Sequence, residues 1–386
     1  MKENQNKVII IGTDHHNVLG TVRCFGVNRI KPYGIIVKND DSPLWVTKSR
    51  YWEKTWVIDS DEKISEVLID NFSEEEHKPV IICCSDGAMS HIDNNINQLS
   101  QYFILPSFNN EQGAITRLMN KETQSEFLKK YGIKTLESKI INLSDNLDNY
   151  SFEYPIILKP VASIEGNKKD ITICWKRDDL LQAIYDFNLF GYKRILVQNF
   201  VTTIVEYQLT GSISKNIISF TVCQNLRQWP LKTGSGSFSK LIKEGNILRF
   251  SEITLSKLQR LGFYGPIDIE LFEINNEYYV NEINWRSSGR VYVNLANKVY
   301  STLYYYLDLI DRSDDFSYYN NKQFYAINEG TDIRNVFISR TIPLHKWIIQ
   351  LFMSKSYSLW YWSDLKPTFE RYKYYIRKFI TKTNRG

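Results

Sequence analysis

Oxygen-bearing side chains recur at a spacing of two within residues 262–289, GFYGPIDIELFEINNEYYVNEINWRSSG. Asp268 and Glu270 stand two apart in PIDIELF, and Glu282 and Asn284 stand two apart in NEINWR. Side chains two apart on a strand share a face, so each run reads as a strand with its polar pair on one side, while Ile267, Ile269 and Leu271 pack on the other. Asn275-Asn276 supplies turn chemistry between the runs. A hairpin in the right register would gather all of these donors, and such a set suits a hard cation. Magnesium takes one or two carboxylates and completes its shell with water and substrate phosphate oxygens. The spacing leaves open whether Asp268 or Glu270 is the ligand. Arg286 falls beside the cation. The apolar alternate positions predict that the polar face lies in a covered cleft, where carboxylates need partners, rather than on a solvated edge.

Two further stretches bear on a phosphate. Lys159 ends the apolar strand YPIILK, a place where an ammonium is costly to bury unless an anion meets it. The loop 161–169 that follows, with Ser163 and Gly166, is placed to fold over phosphates; the alternative is a solvated hairpin turn. The segment NLRQWPLKTGSGSFSK carries Arg227, Lys232, Gly234 and Gly236 and reads as a mobile cationic lid. Two such cations would offset charge on a transferred phosphoryl group; an ordinary Gly/Ser surface loop is the alternative. No Ser-His-Asp or Cys-His arrangement competes as a nucleophile.

GPIDIELF followed by NEINWRSSG resembles the metal-binding end of the ATP-grasp ligases, in which an acid on one strand precedes a Glu-x-Asn-x-Arg signature. The resemblance implies that Glu270 or Asp268, with Glu282 and Asn284, holds magnesium (or manganese in its place) on ATP, and that Arg286 meets the acyl phosphate or its carboxylate. Trp285 stands where the family usually has proline. By the same resemblance Lys121, ahead of a helix, matches a lysine that reaches ATP phosphate. RILVQNFV matches the hinge whose backbone holds adenine, so Gln198, Asn199, Phe200 and Val201 carry over as positions. Glu206 follows at the spacing of a ribose-binding glutamate, and a carboxylate offers two acceptors to two hydroxyls. Gly20, Arg23 and Gly26, with SRYWEK at 49–54, resemble the Rossmann-like first domain of amino-acid-type members, which helps to bind the carboxylate substrate. SRY and the later WSDLKP look closest to D-aspartate ligase-like members, whose acceptors are cell-envelope precursors.

The elements that must position these groups follow from the pattern of the chain. A length of 386 residues accommodates two or three cored domains. KVIIIG at 7–12, YGIIV and VIICCSD read as buried strands, each followed by a loop or helix. The glycines after the first fall short of a dinucleotide fingerprint. The predicted architecture is α/β: an ATP-grasp fold with a Rossmann-like pre-domain over 1–112, a small lid subdomain over 113–200, a second subdomain with the metal site over 201–325, and an aromatic, basic helical extension over 326–386. His15 and His16 read as capping or surface residues rather than catalytic ones. The five cysteines are odd in number, lack paired metal spacing and read as reduced buried thiols.

A net charge of +5 without a Lys/Arg block gives no argument for nucleic acid. No run of eighteen apolar residues appears, and MKENQNK leads straight into a strand without a signal-peptide pattern, so a cytoplasmic protein is expected. The tail 366–386 is rich in Lys, Arg, Tyr and Phe; it predicts an amphipathic helix that either lies on an anionic membrane or packs on the body. The resulting expectation is an ADP-forming ligase that uses ATP and magnesium to join a small-molecule carboxylate to an amine. The alternatives are a carbamoyl-phosphate-synthase-like carboxylation and a non-catalytic ATP-binding module.

Overall fold

A computed structural model of the chain describes residues 6–38, 44–161, 171–201, 204–231, 234–312 and 322–383. Ser163, Gly166 and Lys232 lie outside them, as do the side chains of Ile376 and 378–383.

The first unit alternates strands and helices: β1 (Val8–Thr13), α1 (His16–Gly26), β2 (Tyr33–Val37), β3 (Lys54–Ile58), α2 (Ile64–Phe72), β4 (Val80–Cys83), α3 (Asp86–Asn94) and α4 (Ile96–Leu99). Its four strands form a parallel sheet in the order β3-β2-β1-β4. Val8 to Ile11 are buried on both faces, which is why they form a continuous apolar run rather than an alternating one. Helix α1 starts at His15, whose side chain accepts from the Asn17 N–H, so this histidine caps the helix as expected.

A short strand β5 (Ser107–Phe108) and two helices, α5 (Ala114–Leu118) and α6 (Lys121–Lys130), lead to the second unit. That unit holds β6 (Ser138–Asn142), β7 (Ile156–Pro160), β8 (Thr172–Cys174), α7 (Arg177–Leu189) and β9 (Arg194–Asn199). Its antiparallel sheet runs β6-β9-β7-β8, with α7 covering one face through Leu180, Ala183, Ile184 and Phe187.

The third unit contains β10 (Val205–Ile213), β11 (Ile218–Trp229), β12 (Ser235–Ile242), α8 (Asn246–Arg260), β13 (Phe263–Ile274), β14 (Glu277–Asn284), α9 (Val291–Asn297) and α10 (Ser301–Leu309). The remainder is β15 (Tyr325–Ile327), α11 (Glu329–Asp332), α12 (Arg334–Phe337), α13 (Leu344–Met353), β16 (Ser354–Tyr357) and α14 (Lys366–Thr383). One sheet runs β14-β13-β10-β11-β12-β15-β16, with β5 pairing β13, so strands from the end of the chain extend the sheet that carries the polar face. Ile267, Ile269 and Leu271 point into the largest core cluster, as their alternation predicts.

The last helix begins packed on the body. Thr368 is buried and donates to the Leu359 carbonyl, Tyr372 packs on the core that includes Val18, Trp45 and Tyr306, and the Arg371 guanidinium lies over the Trp45 ring. Upstream, Arg23 of α1 and Asp364 form an ion pair whose side chains are each 1% exposed. Asp364 also accepts from the Ser49 hydroxyl and the Arg50 N–H, so the SRY and WSDLKP segments bind each other. Gly20 lets α1 approach α9, because a Cβ there would stand 2.4 Å from Val291. Gly20 and Arg23, two of the residues that carry the resemblance to the family's first domain, tie α1 to the far end of the chain. All five cysteines are free and buried.

Candidate functional site

The hairpin forms, in a register that sets the two polar pairs opposite each other. Asn275 and Asn276 both adopt positive φ, the backbone of a two-residue hairpin turn, and asparagine tolerates it better than most residues. Asp268 lies opposite Asn284, and Glu270 lies opposite Glu282. A bulge follows Glu270, and Asn281 donates to its carboxylate at 3.1 Å. On the other side of β13, β10 places Gln208 opposite Glu270 and Thr210 opposite Asp268. The sheet therefore carries a row Glu282, Glu270, Gln208 and a row Asn284, Asp268, Thr210.

These donors are not equivalent. Asp268 is buried and accepts from Ser288 Oγ at 2.7 Å and Gln208 Nε2 at 2.8 Å, with Thr210 Oγ1 at 3.5 Å. Burial pushes its carboxyl up, against the pull of Arg286 and these hydrogen bonds. Its lone pairs are engaged inside the sheet, whereas Glu270, Glu282 and Asn284 stand half-buried. Among the described residues no three His, Cys, Asp or Glu side chains are close enough to cage a metal. Two carboxylates and an amide oxygen are the partial donor set that magnesium completes with water and phosphate.

Cations from α6 and from the second unit face this pair. Lys121 Nζ, at the start of α6, stands 3.9 Å from Glu282 Oε1. Lys159 Nζ donates to Gln198 Oε1 at 2.9 Å, which gives the Gln198 side chain a role that a backbone hinge alone would not assign it. Burial first, then Lys121, pushes the Lys159 ammonium down to about 8, against the pull of Glu282, Glu270 and Glu206. Lys121, Lys159, Gln198, Asn281 and Glu282 line one pocket between the two sheets. Glu206 accepts from Asn225 Nδ2 at 3.3 Å; burial raises its carboxyl, and Glu270 adds to the effect. The stretch through Phe200 and Val201 joins β9 to β10 and hence one sheet to the other, with the Phe200 N–H donating to the Pro155 carbonyl. Asn199 is exposed at the end of β9.

Arg286 is anchored across the units. Its Nε donates to Asp86 Oδ1 at 3.0 Å, in the first turn of α3, and its Nη2 reaches Asn284 Oδ1 at 3.3 Å. Burial opposes its charge, yet Asp86, Asp268 and Glu282 hold it above the ordinary arginine value. Ser287 N–H donates to the Cys83 carbonyl, so the ends of β4 and β14 meet here.

Arg227 departs from the expected mobile lid. It lies on β11, paired to β12, and its guanidinium holds buried Asp332 through Nε at 2.9 Å and Nη2 at 2.5 Å. The lid stretch is largely strand because Asn225 and Arg227 pair with Ser239 and Phe238 across a bulged hairpin. Arg290 was not singled out by the spacing. It is buried, donates to Asn225 Oδ1 at 2.5 Å, and its Nη1 finds no acceptor among the described residues. Gly236 makes room for it, since a Cβ there would stand 1.8 Å from Arg290 Nη2. Arginine four positions beyond Arg286 was the available signal, but its burial depends on β11 and β12, which the local sequence does not show.

No family model matches the chain. It is similar to a D-aspartate ligase of Enterococcus faecium (strain Aus0004), 26% identical over 313 residues that make up 74% of this chain and 72% of the relative. It is also similar to a D-alanine–D-alanine ligase of Campylobacter lari, 29% identical over 181 residues, 43% of this chain and 49% of that one; the chain spans about half the length of this relative. Among solved structures, the ADP complex of PurK, N5-carboxyaminoimidazole ribonucleotide synthetase, superposes with a TM-score of 0.64 at 15% identity, covering 87% of this chain and 85% of that one.

Proposed function

We propose that this chain, an ATP-grasp carboxylate–amine ligase, joins an amino acid to a cell-envelope or peptide precursor through the sheet face described above. The observation that carries the reading is the meeting of Glu270 and Glu282 on one hairpin with Lys121 at the start of α6 and Lys159 on β7 of the opposite sheet. Carboxylates of one unit face ammonium groups from outside it, an arrangement suited to a polyphosphate held with a divalent cation.

Glu270, Glu282 and Asn284 would hold magnesium, which neutralises phosphate charge when bound. In this reading Asp268 supports the site by fixing Gln208 and Ser288 rather than by ligating. Lys121 and Lys159 bind phosphate oxygens, Glu206 accepts the ribose hydroxyls, and the backbone of 198–201 meets adenine. Arg286, held by Asp86, orients the reacting carboxylate, and Arg290 supplies a second buried positive charge beside it. A carboxylate oxygen of the substrate takes the γ-phosphoryl group, with ADP leaving; the amine then attacks the acyl carbon, phosphate leaves, and the amine proton passes to solvent. Ser163 in the loop 161–169 and Lys232 belong to the same reading as closing groups, with Arg227 behind them as an anchor.

The reading also takes the first unit as Rossmann-like, divides the chain at 112, 200 and 325, and places the protein in the cytoplasm with peripheral membrane contact. Similarity to a D-aspartate ligase supports an aspartate-like amino acid as one of the two substrates.

The test is ADP release screened over amino acids paired with candidate acceptors, with Glu282→Gln as control. Signal that needs both partners and falls about 100-fold or more in the variant is expected. Release driven by bicarbonate without an amine would reassign the chemistry to carboxylation. Near-normal turnover in the variant would overturn the site.

A further inference from the structure

Helix α13 is seated by one face and bare on the other. Trp347 and Leu351 pack on the small core around Phe238 and Val336, and Trp347 Nε1 donates to Asp332 at 3.0 Å. On the outer side Leu344, Ile348 and Phe352 follow one another at four-residue intervals, with Ile349 and Met353 in the adjacent row. Phe352 is 82% exposed, against 7% for Trp347. The preceding α12 rests on the same core through Val336 and exposes Phe337 at its end. A patch of this kind on a water-facing surface marks an interaction site.

The charges around it select the occupant. Residues 333–363 contain Arg334, Arg340, Lys346 and Lys355 and no Asp or Glu. All four are exposed, and none forms an ion pair with a carboxylate among the described residues. Two copies meeting through the same patch would set these cations against themselves. An anionic lipid surface offers hydrocarbon for the apolar rows and phosphates for the flanking cations. Among the described residues no helix is long and apolar enough to cross a membrane, so α13 would lie on the surface.

We propose that the outer face of α13, flanked by Arg340 and Lys346, docks the protein on an anionic membrane surface. This surface is distinct from the basic α14, whose first half is already packed on the body, and it does not depend on the ligase reading. The test is cosedimentation of the full chain with phosphatidylglycerol–phosphatidylcholine vesicles and with phosphatidylcholine vesicles, at low and high salt, alongside ADP release in solution. The wild type is expected to pellet with the anionic vesicles alone, and less at high salt. The pair Ile348→Asp and Phe352→Asp, and separately the pair Arg340→Glu and Lys346→Glu, should each weaken binding at least about tenfold, since one basic residue near such a surface contributes roughly a fivefold factor. ADP release should stay as in the wild type. A wild type that stays in the supernatant, or aspartate variants that bind unchanged, would overturn the proposal. So would a dimer that the aspartate pair dissolves, which would give the patch to a second copy, or binding lost only on Lys373→Glu with Arg377→Glu, which would give it to α14.

Discussion

Lys159 is charged only at a cost: burial and Lys121 together push its ammonium down to about 8. Its folded value lies below the ordinary lysine value, so between the two the unfolded chain binds more protons, and its contribution to stability improves as pH rises through that window. Phosphate should reverse the bias by favouring the charged form. ATP affinity is therefore expected to fall as pH rises past about 8, with proton uptake on binding near that pH; calorimetry in buffers of different ionisation enthalpy reads both. Lys159→Met should weaken ATP about 10- to 100-fold, the worth of a charge-assisted hydrogen bond, while leaving the unliganded protein at least as heat-stable at neutral pH. Unchanged affinity would make the lysine structural. Arg290→Met is expected to raise the KM for the carboxylate substrate at least about tenfold with a smaller change in the KM for ATP, because its Nη1 is a buried donor without an acceptor among the described residues. Equal effects on both constants would place Arg290 outside the carboxylate's reach. At this scale the placement of Glu270, Glu282 and Asn284 on one sheet face and of Lys159 at a strand end was legible from spacing. Asp86 and Arg290 were not, because their roles depend on partners from distant segments.

The hairpin of β13 and β14 could be read in advance because strand alternation and an Asn-Asn turn are local signals. Two features escaped. The bulge after Glu270 comes from a register shift that no residue type announces, and Asp268 shares a face with Glu270 but meets Ser288 and Gln208, which come from other elements. The glycines around Lys232 suggested a long lid, yet the pairing of β11 with β12 takes up most of it. That pairing places Arg227 against Asp332, whose carboxylate also accepts from Ser237 and Trp347. Removing one partner of a buried pair leaves an uncompensated charge, so Arg227→Ala should cost about 3–5 kcal/mol of stability, read by urea unfolding. ADP release lost at unchanged stability would instead give Arg227 the part of a mobile cation.

Across the whole molecule, α1 touches α9 at Gly20 and the 359–364 segment at Arg23, so the first unit is bound to elements from the far end of the chain. Asp364→Ala is expected to cost about 3–5 kcal/mol, and the loss should appear in the first unit as faster amide exchange in α1. Exchange confined to the 359–364 segment would show the pair to be local. The α/β order of the first unit was plain from its apolar runs; this closure was not, since the partners lie 341 residues apart. That separation carries a consequence in time. A ribosome making roughly 5–20 residues per second needs about 17 to 70 seconds to go from Arg23 to Asp364. Throughout that interval the nascent first unit carries a guanidinium whose counterion has not yet been synthesised. Stalled chains that end before residue 364 should therefore be cut by protease within α1, and chains long enough to extrude Asp364 from the exit tunnel should resist.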